Sequence, residues 1–180
     1  MENVFEDFSV KDGERVKEIE KVTNHDVKAI EYFLKEKFDT NPDLADLKEY
    51  LHFSCTSEDI NNLAYALMLH SSMQQVMLPQ LKDLQQTLAL LATELADVPM
   101  LCRTHGQSAT PSTMGKEIAN FAYRINQQIK HLERIVPSGK FNGAVGNLNA
   151  HIVAYPERDW IDVSQRFVEG MGIAWNPYTT

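Results

Sequence analysis

The chain has 180 residues, with 17 Lys and Arg against 25 Asp and Glu and a net charge of -8. That is long enough to bury a real core, and it lacks the basic stripe that displaces counterions from a nucleic-acid backbone, so no nucleic-acid partner is expected. The opening, Met1-Glu-Asn-Val-Phe-Glu-Asp-Phe8, lacks the basic and apolar regions of a signal peptide. The longest aliphatic run, Leu88-Ala-Leu-Leu-Ala92, falls far short of the ~20 residues that cross a bilayer, so a soluble, cytoplasmic protein without a membrane partner is expected. Cys55 and Cys102 form no CxxC pair and the histidines form no HExxH, so reduced thiols and no metal are expected.

In chain order, residues 11–22 set Val16 and Ile19 among alternating acids and bases and predict a short surface helix, interrupted at Thr23-Asn24-His25-Asp26. Asn24 reads as the N-cap of the next helix, whose inner face would carry Val27, Ile30, Phe33 and Leu34. Asn41-Pro42 punctuates, and Leu44, Leu47 and Leu51 predict another short helix.

Thr56-Ser57-Glu58-Asp59 matches a capping box, with Thr56 facing Asp59, and a helical pattern then runs to Asp97. At 1.5 Å per residue that is roughly 60 Å, and Pro79 predicts a kink rather than a break. The apolar seam runs from Ile60, Leu63 and Leu67 to Leu81, Leu84, Leu88, Leu91 and Leu95. His70 and Gln74 interrupt it, either as buried polar contacts or where the stripe turns to solvent.

Thr110 and Pro111 are predicted to cap and start the next helix, with Met114, Ile118, Phe121, Ile125, Ile129, Leu132 and Val136 inward. Two such helices are expected to pack antiparallel. The loop 137–147 is rich in glycine but lacks the spacing of a phosphate-binding loop. A last helix carries Trp160, Val163, Phe167 and Met171, with Gly172 as its stop, and the 175–180 tail shows turn chemistry and no closing element. No strand is expected, and the fold class is all-α.

Three polar islands stand at helix ends: Asn24-His25-Asp26, Thr56-Ser57-Glu58-Asp59 and, within Arg103-Thr-His-Gly-Gln-Ser-Ala-Thr-Pro111, Thr104-His105-Gly106-Gln107. Helix N-terminal amides with a hydroxyl from Thr56 or Ser57 make a seat for a carboxylate, and an imidazole at 105 can give or take a proton near neutral pH. Taken singly, each island also reads as nothing more than a cap.

In combination the islands resemble the adenylosuccinate lyases of the fumarase/aspartase superfamily. The likeness rests on Thr23-Asn-His-Asp-Val-Lys-Ala29, Thr56-Ser-Glu-Asp59, Thr104-His-Gly-Gln-Ser-Ala-Thr-Pro111, Gly139-Lys-Phe-Asn-Gly-Ala-Val-Gly-Asn147 and Trp175-Asn-Pro-Tyr-Thr-Thr180. Ser108, where the family more often has proline, is a mild departure.

The resemblance implies removal of fumarate from adenylosuccinate and from the succinyl-carboxamide ribotide, with no cofactor. It implies His105 as general acid, Thr56 and Ser57 as the pair holding a substrate carboxylate, and Asn24, His25 and Asp26 as a substrate-binding segment. It further implies a homotetramer with shared sites, the seam from Ile60 to Leu95 facing other subunits. The expected organisation is the end of a small helical domain over residues 1–54 and the start of a long-helix bundle over 55–180. Family members run well over twice this length and take their base from a downstream serine loop that does not occur here, so the chain alone is expected to be inactive.

Overall fold

The computed structural model describes residues 8–179; the acidic opening, residues 1–7, and Thr180 lie outside them. Helix α1, Val10–Thr23, begins at Ser9 with a complete capping box, and its end is closed by Asn24 in the left-handed region at φ 51°. Asn24 therefore ends the first helix instead of starting the second, since a left-handed residue turns the chain out of the helical path. The N-cap of α2, Asp26–Asp39, is His25, extended at φ -151°, whose ring nitrogen accepts from the Lys28 N–H. Helix α2 buries Val27, Ala29 and Phe33, while Ile30, expected inward, is 40% exposed. The helix expected around Leu44 is a single turn, α3, Pro42–Ala45, followed by a 3-10 turn at Lys48–Tyr50.

The long helix forms as α4, Ser57–Ser72, a π turn at Met73–Met77, and α5, Leu78–Glu94. The N–H of Leu78 reaches back to the Met73 carbonyl, five residues upstream. Pro79 has no N–H and its ring would press on the carbonyl four residues before it, and the widened turn directly ahead of it fits that constraint. Of the seam's polar exceptions, Gln74 is exposed and His70 half-buried.

The stretch after α5 holds strands that the sequence does not announce. Pro99–Met100 (β1) pairs antiparallel with Ser112–Thr113 (β4), and inside that pair Arg103–Thr104 (β2) meets Gln107–Ser108 (β3) in a hairpin. Helix α6, Met114–Leu132, consequently has its N-cap three residues later than Thr110, with the Thr113 side chain accepting from the Lys116 N–H. Ser138–Gly139 (β5) pairs in parallel with Ala174–Trp175 (β6), so the tail after Gly172 does close onto the chain. Between them lie α7, Asn149–Ala154, a short helix not expected from the sequence, and α8, Trp160–Glu169, which ends before Met171.

By packing, the chain divides into one unit of Met1–Ala66 with Ser138–Thr180 and another of Leu67–Pro137. The first unit centres on Val27, Phe33, Leu63, Leu148, Val168 and Ile173. In the second, α5 and α6 run antiparallel, with Ala96 against Gly115 at one end and Lys82 bonded to Glu133 at the other. None of the helices among the described residues is long and apolar enough to cross a membrane.

Candidate active site

Two of the three polar islands meet in the first unit, where the N-termini of α2 and α4 come together. His25 Nδ1 accepts the Lys28 N–H at 3.3 Å, which leaves the proton of a neutral ring on Nε2. Nε2 lies 3.4 Å from Ser57 Oγ, so the capping bond that starts α2 also turns a ring donor toward the first residue of α4. Beside it, Asn61 Nδ2 donates to Asp26 Oδ2 at 3.3 Å. The Val27 N–H, and after it Asn61, hold the Asp26 carboxyl below its ordinary value. His25, Asp26 and Asn24 are exposed, and Thr56 and Ser57 half-buried. A hydroxyl, an imidazole N–H and the free amides of a helix N-terminus converging from two elements can grip a carboxylate.

Of the capping-box bonds expected at the head of α4, the one formed runs from the Thr56 N–H to Asp59 Oδ2, at 3.0 Å. Asp59 is fully buried. It also takes Lys140 Nζ at 2.8 Å, the Asn142 N–H at 3.1 Å and the Gly143 N–H at 3.0 Å. Burial raises its carboxyl, but Lys140 and the Thr56 and Asn142 amides outweigh that and hold it below the usual carboxylate value. The sequence marks Asp59 as a cap partner only. Nothing in it points to Lys140, Asn142 or Gly143, more than eighty positions away, as the other half of the cluster.

Next to this cluster is a cavity of about 350 Å³, walled by Ser54, Cys55 and Thr56 on one side and by residues 142–145 and His151 on the other. Burial, with the Asp59 charge adding to it, pushes the Cys55 thiol up to about 11, so it stays a thiol at neutral pH and is no nucleophile. The His151 ring packs on Phe141 and Trp160, and neither of its nitrogens has a hydrogen-bond partner among the described residues. Burial pushes its pKa down, partly offset by Asp59.

The third island belongs to the other unit. The register Thr104 to Gln107 leaves His105 and Gly106 as the two-residue loop of a hairpin, with φ 51° and 77°. Positive φ at both positions is the primed turn that matches the strand twist; glycine takes it freely, and histidine is among the side chains that tolerate it. The Ala109 N–H extends the ladder to the Cys102 carbonyl at 2.8 Å. His105 is exposed at the tip of this hairpin.

The chain belongs to the family described as Lyase, whose model matches residues 1–180. It is 56% identical over 173 residues to adenylosuccinate lyase of Escherichia coli (strain K12), covering 96% of this chain and 38% of that protein. Against adenylosuccinate lyase of Haemophilus influenzae (strain Rd) it is 52% identical over 180 residues, 100% of this chain and 40% of that one. The chain thus spans about two fifths of the curated relatives it matches. Among solved structures, fumarate lyase from Mesorhizobium sp. BNC1 superposes with a TM-score of 0.79 at 22% identity over 97% of this chain and 39% of its own. The 3-carboxy-cis,cis-muconate lactonizing enzyme from Pseudomonas putida gives 0.74 at 22% identity, over 96% and 38%. At such identity the two structures speak for the fold alone, which is all-helical apart from the two-residue pairings.

Proposed function

We propose that this chain carries the carboxylate seat and the acid of an adenylosuccinate lyase, which eliminates fumarate from adenylosuccinate to leave AMP and from the succinyl-carboxamide ribotide to leave the carboxamide ribotide. The observation that carries the reading is the meeting of His25 and Ser57, two separately recognised motifs, at 3.4 Å where two helices begin. Thr56 and Ser57 hold a carboxylate of the succinyl group, and Asn24, His25 and Asp26 bind substrate beside it. His105 protonates the departing nitrogen as the C–N bond breaks. Hydroxyl and amide donors favour the carbanion-like intermediate because charge builds on the oxygens they face, and an imidazole has the pKa range for the proton.

The proposal includes a cytoplasmic homotetramer with shared sites, the division at residues 54 and 55, and no activity for this chain by itself. In the full-length protein, His105→Asn is expected to lower kcat for adenylosuccinate cleavage by about 100-fold or more, the usual scale of a lost general acid. Turnover within about threefold of the unaltered protein removes His105 from the mechanism.

A further inference from the structure

Asp59 has no exposed surface, yet it is an ionised carboxylate in a unit with apolar side chains to spare. Burying an ion pair costs more desolvation than an apolar contact of equal volume, so joining a helix to a loop does not by itself call for one. What a carboxylate adds is direction. Oδ2 accepts the Thr56 N–H and the Gly143 N–H, each at 3.0 Å, so a single oxygen bridges the head of α4 and the 142–145 loop. Oδ1 accepts the Asn142 N–H and Lys140 Nζ, and Nζ also donates to the Gly143 carbonyl at 2.9 Å. Asn62 adds a reciprocal pair with the Lys140 backbone, accepting its N–H at 2.8 Å and donating to its carbonyl at 3.1 Å. Both of the segments so joined line the 350 Å³ cavity, Thr56 from one and residues 142–145 from the other. Beyond Gly143 the clamping ends, and Ala144 and Val145 are exposed.

We infer that Asp59 is a positioning residue for the substrate site: it locks the 142–145 loop against Thr56, the residue next to Ser57, so that this loop forms the second wall of the carboxylate seat. The inference rests on the role given above to Thr56 and Ser57. It requires that loosening the loop weaken substrate binding more than turnover, because the loop shapes the seat and does not touch the bond that breaks.

The test uses the full-length protein with Asp59→Asn and with Asp59→Asn combined with Lys140→Met, the second leaving no unpaired buried ammonium. In both, amide exchange at Asn142 and Gly143 is expected to quicken about tenfold or more while α8 keeps its protection. In the folded double variant, KM for adenylosuccinate is expected to rise about tenfold with kcat within about threefold. A merely structural role would reduce the yield of folded protein and leave the KM of that protein unchanged, and that result overturns the inference. So does unchanged exchange in the loop. Should the unaltered full-length protein cleave no adenylosuccinate, the lyase reading fails separately, and the clamp stands or falls on the exchange measurement alone.

Discussion

The two units are held together by different physics. In the unit of Met1–Ala66 and Ser138–Thr180, the buried groups include Glu31, Asp59, Lys140, Asn142, His151 and Ser164, and hydrogen bonds decide where the chain runs. Ser164 Oγ donates to the Phe141 carbonyl while accepting from Trp175 Nε1, and Asn142 is tied to Pro177 and Thr179. In Leu67–Pro137 the joint is one of shape: Ala89 and Ala92 of α5, with Ala96 just past its end, lie along Gly115, Ala119 and Ala122 of α6. Large apolar side chains such as Leu84, Leu90, Phe121 and Tyr123 remain exposed. A unit built on directional bonds fixes single atoms, as a binding site needs. A unit built on small residues fixes only how closely two rods approach, which suffices to hold a hairpin between them.

The contrast can be broken from either side. The largest effect belongs to Gly115→Ala, because a Cβ there would overlap the Ala92 carbonyl oxygen and stand 2.7 Å from Ala96 Cα. A loss of about 1–3 kcal/mol in denaturant unfolding is expected, with faster exchange in α5 and α6 and unchanged exchange around Asp59. Full stability would mean the close approach is not what joins the helices.

Acid should reveal the polar unit instead. Above pH 6.5 His151 is neutral in both the folded and the unfolded chain; below it the unfolded chain takes up a proton that the folded one, with its lowered pKa, refuses. Stability therefore falls as pH drops from 6.5 toward the folded pKa, by up to about 1.4 kcal/mol per pH unit. His151→Phe should flatten that segment in unfolding curves taken from pH 7.5 to 5, and an identical slope in both proteins would exclude the assignment. Asp59 contributes a later stage. Its folded pKa is lowered, so its stabilisation is present above 3.8 and is lost as pH falls through the folded value.

The smallest effect expected is that of Lys82→Ala. Lys82 and Glu133 meet at 2.6 Å with side chains 57% and 40% exposed, and solvent screening keeps the change within about 0.5 kcal/mol by the same unfolding measurement.

Helix bodies were legible because a stripe repeats over many residues, whereas helix ends turn on one or two dihedrals that leave no periodic trace. That is why Asn24 gave way to His25 as a cap and Thr110 to Thr113. The two-residue strands are too short to show alternation, and α7 is too short to show a stripe. Of the proposed functional residues, Asn24, His25, Asp26, Thr56, Ser57 and His105 could be named because each sits in a recognisable local motif. The Asp59 cluster could not, since its partners are far off in sequence and meet only after the chain has folded.

Position 105 answers to two independent demands. The hairpin asks for a residue at ease with φ 51°, which excludes branching at Cβ before any reaction is considered. The proposed lyase reaction then asks that the same residue deliver a proton. An amide side chain satisfies the former and fails the latter, so asparagine there silences the imidazole while sparing the scaffold, and drift at this place is confined to a very short menu of residues.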